Sequence, residues 1–585
     1  MPTTLPPVDA VCVGVGWTGG ILGHQLAASG LRVVGLERGR YRATKPDFQP
    51  PHVHDELRYA VRYELMQDLS QETLTFRNRD GQRALPMRTL GSFLLAEGLG
   101  GAGVHWNGQT WRFLPYTFEA RSRAVARYGE GILPEDNTIQ DWGVTYDELA
   151  PWYDRFEANC GVGGVAGNLH GEVQPGGNPF EGPRGPYPNP PMKTSYAQHL
   201  YTEAAESLGL HPFPGPSANS TREYTNPDGM RLGACHYCGY CERFGCEIYA
   251  KASPQATVIP AAIRTGNFEL RTGAHVTRVL MSPDGKRATG VLYVDAEGRE
   301  VVQPAEIVLL TAYSLHNARL LMLSGIGEVY DPATGRGTVG RNYAYQAMSG
   351  VDVFFDDKDL NTFAGAGAMG TVVDDYNGDN FDHSGLGFVD GASMAVYVTG
   401  HRPINTHPVP EGTPSWGPEW KRAVARYFNR AVSIGCQGSV MSYRGNHLDL
   451  DPTYRDAYGQ PLLRMTFDWG ENERKMSDYV TDRAAEIARA MNPTHVKVNR
   501  LSEHYSIVPY QTTHNVGGTV MGADPETSVV NPDLQVWGVD NVFVMGAGVF
   551  PQNAGYNPTG TVGALAYRAA DAIVNRYVPS PGPLH

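Results

Sequence analysis

Close to its start the chain leads an apolar run straight into a glycine turn. Residues 8–13 (VDAVCV) read as a short buried strand, Gly14-Val15-Gly16-Trp17-Thr18-Gly19 follows, and a helical stretch continues to about Ser29. Leu31–Leu36 reads as a second strand that ends at Glu37. Strand, helix and strand in this order make a complete βαβ unit, which commits the opening of the chain to a sheet with a helix packed on it. The first glycine makes the tight turn, the second lets a pyrophosphate approach the backbone, and the third lets helix and strand pack closely. The helix start then offers free N–H groups and the positive end of its dipole. Glu37 stands where ribose hydroxyls would be, and its charge disfavours a 2′-phosphate. Gly14, Gly16, Gly19 and Glu37 are thus expected to bind a dinucleotide. A purely structural turn is the alternative, and the motif does not separate FAD from NAD.

The chain has 585 residues, enough for two or three lobes. Its net charge of -13, from 61 acidic and 48 basic residues, argues against a nucleic-acid partner. No run of about 18 apolar residues predicts a membrane-spanning helix. The opening MPTTLPPVDAVCVGVG lacks the basic start of an export signal, and its apolar run is needed by the fold. Helices are expected over Tyr146–Cys160, Leu315–Leu323 and Thr559–Asn575. Strands are expected over Phe268–Leu280, Ala288–Val294 and Glu306–Leu310. Residues 50–90 show little periodicity, and 161–192, rich in Gly, Pro and Asn, read as a long surface excursion. Residues 346–500 are expected to hold several strands of a second lobe.

Four of the seven cysteines lie in one run, Cys235, Cys238, Cys241 and Cys246, in CHYCGYCERFGC. Seven are too few and too clustered for a secreted disulfide framework. In structural zinc sites a longer loop usually separates one Cys-x₂-Cys pair from the other. The spacing here is nearer to a ferredoxin-type loop, from which it departs in the last interval and in having Glu247 where proline would follow. Iron–sulfur, zinc and free buried thiols all stay open on spacing alone. Cys12, Cys160 and Cys436 read as packing residues.

The C-terminal segments His514–Gly522 (HNVGGTVMG), Asn541–Pro551 (NVFVMGAGVFP) and Asn557–Thr561 (NPTGT) closely resemble the end of the glucose–methanol–choline (GMC) oxidoreductases. Leu321–Gly327, Val339–Asn342, the N-terminal turn and Gly98–Gly101 match further family segments. This resemblance implies an α/β (α+β overall) fold: a Rossmann-like FAD-binding domain with a discontinuous second, substrate-binding domain on an antiparallel sheet. The expected division is 1–115 for the opening segment of the FAD domain and 116–224 for a substrate-domain segment with the Gly/Pro-rich excursion. Residues 225–345 carry the cysteine-rich loop and the middle FAD segment, 346–504 the substrate domain, and 505–585 the closing FAD segment.

The resemblance implies FAD and a carbinol-oxidising pair, His514 as general base and Asn557 to hold the substrate oxygen. A neutral imidazole suits the first role and an amide the second. A hydrogen-bonded core histidine and a helix-capping asparagine are the plain alternatives. Gly100, Gly101, Asn107, Val276, Gly546, Ala547 and Thr559 are expected to line the cofactor. In the related pyranose oxidases a histidine before tryptophan bonds covalently to the flavin, which places His105 as the anchor here. An unbonded histidine beside the ring is the alternative.

A narrower likeness, carried by CHYCGYCERFGCEIYAKASP and HWNGQTWRFLP, is to the flavoprotein subunits of bacterial membrane-bound sugar and sugar-acid dehydrogenases, those acting on gluconate above all. It implies a three-iron cluster (3Fe-4S) on three of the four cysteines and electron transfer to a cytochrome or quinone. It also implies a small subunit carrying the export signal, a multihaem cytochrome c subunit, and attachment to the periplasmic face of the inner membrane through those partners. A soluble FAD-dependent pyranose or glycoside oxidase making peroxide is the competing expectation. A gluconate-type substrate would want a cation, for which Arg112, Arg341 and Arg500 are the candidates.

Overall fold

The computed structural model describes residues 2–48, 56–89 and 93–584. Strands β1 (Val8–Val13), β2 (Val33–Glu37), β3 (Phe268–Thr272), β4 (His275–Met281), β5 (Ala288–Val294) and β6 (Glu300–Leu310) form one sheet in the order β3-β2-β1-β6-β5-β4. Ala10, Val11 and Cys12 have no exposed surface, because the parallel portion of the sheet is covered on both faces. β6 changes partner type along its length. Its first half runs antiparallel to β5, with Val302 opposite Leu292. Its second half runs parallel to β1, with Leu310 opposite Val13, and parallel to the late strand Val542–Val544. The carboxyl ends of β1, β2, β6 and Val542–Val544 therefore meet at one edge, where open α/β sheets bind ligands.

The second sheet comprises β7 (Ala347–Phe354), β8 (Gly370–Val373), β9 (Ala392–Tyr397), β10 (Ala431–Gly438) and β11 (His495–Asn499), ordered β11-β7-β10-β9-β8, with the short strand Phe213–Pro214 beyond β8, and is antiparallel throughout. Strand alternation gives it two unlike faces. Val432, Ile434 and Cys436 pack towards the helix Glu471–Ala490, whose Thr481 hydroxyl bonds Ser349 at 2.7 Å. Met348, Ser393, Tyr397, Gly435 and Gln437 point the other way, over the edge of the first sheet.

The expected helices and strands of the first lobe are present, with Tyr146–Cys160 opened by a Thr145–Glu148 capping box. The stretch 346–500 holds its strands but also the 20-residue helix Glu471–Ala490. Its apolar spacing Met476, Val480, Ala484, Ile487 is helical, and the first turn carries Glu471 and Glu473. The segment 161–192 is more than a surface excursion. Buried Arg184 anchors it to Glu157 at 2.6 Å and lies over the Tyr187 ring. Within the aperiodic stretch 50–90, residues 50–55 and Leu90 lie outside the described residues. The remainder includes Leu74–Arg77, paired parallel to Pro461–Thr466.

Candidate active site

A cavity of about 480 Å³ follows the carboxyl ends of the parallel strands and continues beneath the second sheet. At its first end the backbone leaves room that side chains would take. A Cβ on Gly16, Gly101 or Gly546 would meet no protein atom nearer than 3.7 Å, so each glycine opens directly onto the cavity. Gly14 has φ +95°, and Gly19 is needed for packing, since a Cβ there would press on the Gly14 carbonyl and lie 3.0 Å from Thr311 Oγ1. The helix that follows has no side-chain cap, leaving its first N–H groups for an anion. Glu37 accepts from Val15 N–H at 3.1 Å and Gly39 N–H at 2.9 Å, so its carboxylate braces the turn and keeps lone pairs for a ribose. Burial pushes its pKa up. Beyond it Glu72 gathers Arg38 at 3.1 Å, His316 at 3.1 Å and Arg319 at 3.3 Å. Burial opposes the charge of Glu72, but His316 and Arg38 hold its carboxyl well below the usual range. Sequence reading missed this cluster because Glu72 comes from the aperiodic stretch.

At the other end His514 and Asn557 meet. Asn557 Nδ2 lies 3.1 Å from His514 Nε2, and Gln437 Nε2 donates to Asn557 Oδ1 at 3.4 Å. His514 Nδ1 lies 3.0 Å from Gln346 Oε1. Burial pushes the imidazole pKa down to about 3, so the ring is neutral at ordinary pH. An uncharged imidazole beside an amide in a closed site can accept a hydroxyl proton and hold the oxygen it leaves. Tyr556, stacked on Trp111 at 4.5 Å, fixes the wall next to Asn557. Gln346 and Gln437 carry no sequence signature, since each is a lone polar residue whose role comes from its strand face or loop, whereas Trp111 belongs to the segment HWNGQTWRFLP.

His105 closes the short helix Ala102–His105, is 3% exposed, and lines the same cavity. Neither ring nitrogen meets a hydrogen-bond partner among the described residues, and burial lowers its pKa to about 3. Such an orphaned polar ring facing a cavity fits a bound group. Together with the glycine cradle it fits FAD. Gly100, Asn107, Val276, Ala547 and Thr559 also line the cavity, so of the residues expected to touch the cofactor, Gly19 alone stands behind the wall.

The cysteine run lies behind His105. Arg243 N–H donates to the His105 carbonyl at 2.8 Å. The buried Lys251 ammonium donates to the carbonyls of Trp106, Cys241 and Phe244 at 2.7, 2.6 and 2.8 Å. Each of the four sulfurs faces an N–H: Cys235 that of Tyr237, Cys238 that of Tyr240, Cys241 the Asn219 side-chain amide at 4.0 Å, and Cys246 that of Lys251. Burial pushes the Cys235 thiol up to about 12 and the Cys241 thiol to about 11. Among the described residues no group of three or more His, Cys, Asp or Glu stands placed to hold a metal ion. The donor chemistry and its N–H shell suit thiolate ligands, while the side chains do not converge on one centre. None of the four lines the cavity; Glu242, inside the run, does. Cys12, Cys160 and Cys436 are buried and free.

The three candidate cations for a carboxylate lie elsewhere. Arg112 is buried in an ion pair with Glu157 and Asp154, Arg500 binds Asp478 and Asp482 on the surface, and Arg341 lines a separate cleft. Packing needs at Arg112 and local acids at Arg500 outcompete a ligand role. Among the described residues, the arginines of the main cavity are Arg38 and Arg319, both held by Glu72.

Family models described as GMC oxidoreductase match residues 188–347 and 442–566. The chain is 48% identical to a gluconate 2-dehydrogenase flavoprotein of Pantoea cypripedii, over 99% of this chain and 95% of that one. The chain belongs to the GMC oxidoreductase family. It is an FAD-dependent oxidoreductase acting on CH–OH groups. The fructose dehydrogenase large subunit of Gluconobacter japonicus is 27% identical over 97% of this chain and 98% of that one. The crystal structure of pyridoxine 4-oxidase from Mesorbium loti superposes with TM-score 0.58 at 17% identity, covering 96% and 98% of the two chains, and shares the fold. The mixed α/β architecture expected from the family segments is the one observed. No helix among the described residues is long and apolar enough to cross a membrane.

Proposed function

We propose that this chain is the flavoprotein of a dehydrogenase that oxidises a carbinol of a sugar acid, with D-gluconate to 2-keto-D-gluconate as the leading case, and delivers electrons to an acceptor other than oxygen. The observation that carries the reading is the His514–Asn557 pair, 3.1 Å apart beneath the second sheet in a cavity whose other end is built for a dinucleotide. His514 Nε2 takes the hydroxyl proton. Asn557 holds the substrate oxygen through Nδ2 and orients the carbinol. Bound FAD supplies the two-electron acceptor for the carbinol hydrogen. The second sheet covers the pair through Ser393 and Gln437 and keeps water away. The 48% relative bears the name of a gluconate dehydrogenase flavoprotein, which supports the substrate class.

The finer points of the reading are proposals of the same kind. His105 anchors the flavin covalently, supported by its two unpartnered ring nitrogens. Three of Cys235, Cys238, Cys241 and Cys246 supply the ligands of a three-iron cluster, on which the run has to close as the cluster binds, supported by the N–H donors around the sulfurs. A small subunit and a cytochrome subunit hold the chain at the periplasmic face, supported by the likeness to a protein named as a large subunit. In the test, purified enzyme is mixed anaerobically with D-gluconate and the flavin band is followed. The parent bleaches, and His514→Ala does not. Turnover with an artificial acceptor exceeds turnover with oxygen. Peroxide formed in step with each substrate consumed would show an oxidase instead.

A further inference from the structure

We propose that Gln346 is the positioning residue that decides which ring nitrogen of His514 carries the proton, leaving Nε2 unprotonated, an acceptor that the carbinol hydroxyl takes over from Asn557. The inference rests on the reading of His514 as proton acceptor. Gln346 is fully buried at the start of β7. Its Nε2 donates to the carbonyl of Gly438 and, at 3.0 Å, to that of Ala554. Carbonyl oxygens only accept, so the amide cannot turn round without setting its own oxygen against two others. Oε1 therefore faces His514 Nδ1 at 3.0 Å and requires an N–H there. Asn553 locks the arrangement, its Nδ2 donating to the Tyr345 carbonyl at 2.6 Å and to Gln346 Oε1 at 3.3 Å.

The opposite edge of the ring makes the same demand. Gln437 Nε2 donates to Asn557 Oδ1 at 3.4 Å, which turns the NH₂ of Asn557 towards His514 Nε2 at 3.1 Å. Nε2 must then be the acceptor. Gln346, fixed by its own partners, thus specifies one tautomer of a ring that burial keeps neutral, and the amides of Gln437 and Asn557 are turned to match it. The other tautomer would present an N–H to a hydroxyl and could not take its proton.

The holoenzyme carrying Gln346→Leu or Gln346→Glu tests this, with His514→Ala as control. Anaerobic flavin reduction is measured with D-gluconate, D-fructose and D-sorbitol, and NMR of histidine labelled at the ring nitrogens reports the tautomer. The His514 signal is the one that His514→Ala removes. Gln346→Leu is expected to lower the limiting reduction rate by about 100-fold or more, the scale of a lost general base, and to shift the NMR signal towards the other tautomer. Substrate dissociation should change by less than about threefold, since the loss falls on the rate. Gln346→Glu still offers an oxygen to Nδ1–H and should keep the parent tautomer at high pH, while its negative charge raises the imidazole pKa and slows reduction as pH falls. A leucine variant with the parent rate or tautomer overturns the proposal, as does a glutamate variant that shows the other tautomer at high pH. Where the leucine variant fails to take up flavin, the glutamate variant decides: the parent tautomer upholds the assignment and its loss ends it. His514→Ala reducing its flavin at the parent rate removes the base itself, while the NMR arm still reads the tautomer.

Discussion

Replacing His105 by leucine should stabilise the flavin-free protein and damage the loaded one. In the folded chain both ring nitrogens are buried and without partners among the described residues. A neutral imidazole carries one donor and one acceptor, and each left unsatisfied costs about 1–3 kcal/mol. Leucine fills a similar volume without either group, so the apoprotein should gain about 2–6 kcal/mol less whatever the site loses in repacking. The gain should grow with acidity. Folded His105 stays neutral down to about 3, whereas the unfolded ring takes up a proton below about 6.5. The parent therefore loses about 1.4 kcal/mol per pH unit from this group as pH falls through that window, and the variant does not. Urea unfolding of apoprotein from riboflavin-starved cells, near pH 7.5 and at about pH 5.5, measures both effects, the second as a widening of about 1.4 kcal/mol. Loaded with FAD the order reverses: acid-precipitated parent keeps its yellow colour in the pellet and the variant releases it. An apoprotein variant less stable than the parent at both pH values would refute the argument, because His105 would then be an ordinary satisfied core residue.

Two further substitutions probe the frame around that ring. A Cβ on Gly103 would lie 2.5 Å from Pro254 Cδ and 2.7 Å from Trp17 Nε1. Gly103→Ala should push the helix bearing His105 aside, cost about 1–3 kcal/mol in thermal unfolding and lower the flavin-to-protein ratio. Lys251→Met leaves three buried carbonyls without their donor. It should destabilise by more than about 3 kcal/mol, at about 1 kcal/mol or more for each acceptor, and lower iron content and flavin content together, both read from the absorption spectrum.

What could be read from residues alone follows from the range of the physics. The turn at Gly14–Gly19 is local, because backbone geometry, helix start and Glu37 lie within one βαβ unit. His514 and Asn557 were legible through their motif company, although 43 positions separate them. The Glu72 cluster was not legible. It needs the end of β2, the helix after β6 and the stretch before Leu74 brought to one point, and nothing local predicts that. Gln346 and Gln437 were equally silent. A glutamine in a strand becomes a positioning group only once the register puts Gln437 opposite Met348 and turns that face to the cavity. The three arginines failed for a related reason. A cation is as easily claimed by Glu157 or Asp478 as by a substrate, and sequence does not show which acid arrives first.

The distribution of charge along the cavity has its own logic. Ions gather at the two extremes: Glu72 with Arg38 and Arg319 at the nucleotide end, and Glu242 with neighbouring Lys251 on the cysteine side. Between them the base is surrounded by amides alone, those of Gln346, Gln437, Asn553 and Asn557. A carboxylate against Nδ1 would orient the ring equally well, but in a low dielectric it would also raise the imidazole pKa and favour the protonated, inactive form. An amide oxygen orients without that charge. The ring consequently stays deprotonated far below neutrality, with its pKa pushed to about 3, and its proton affinity can rise when an alkoxide-like oxygen develops beside Asn557. Neutral orienters near the base and ions kept at a distance allow one buried histidine to be both fixed in direction and free to accept.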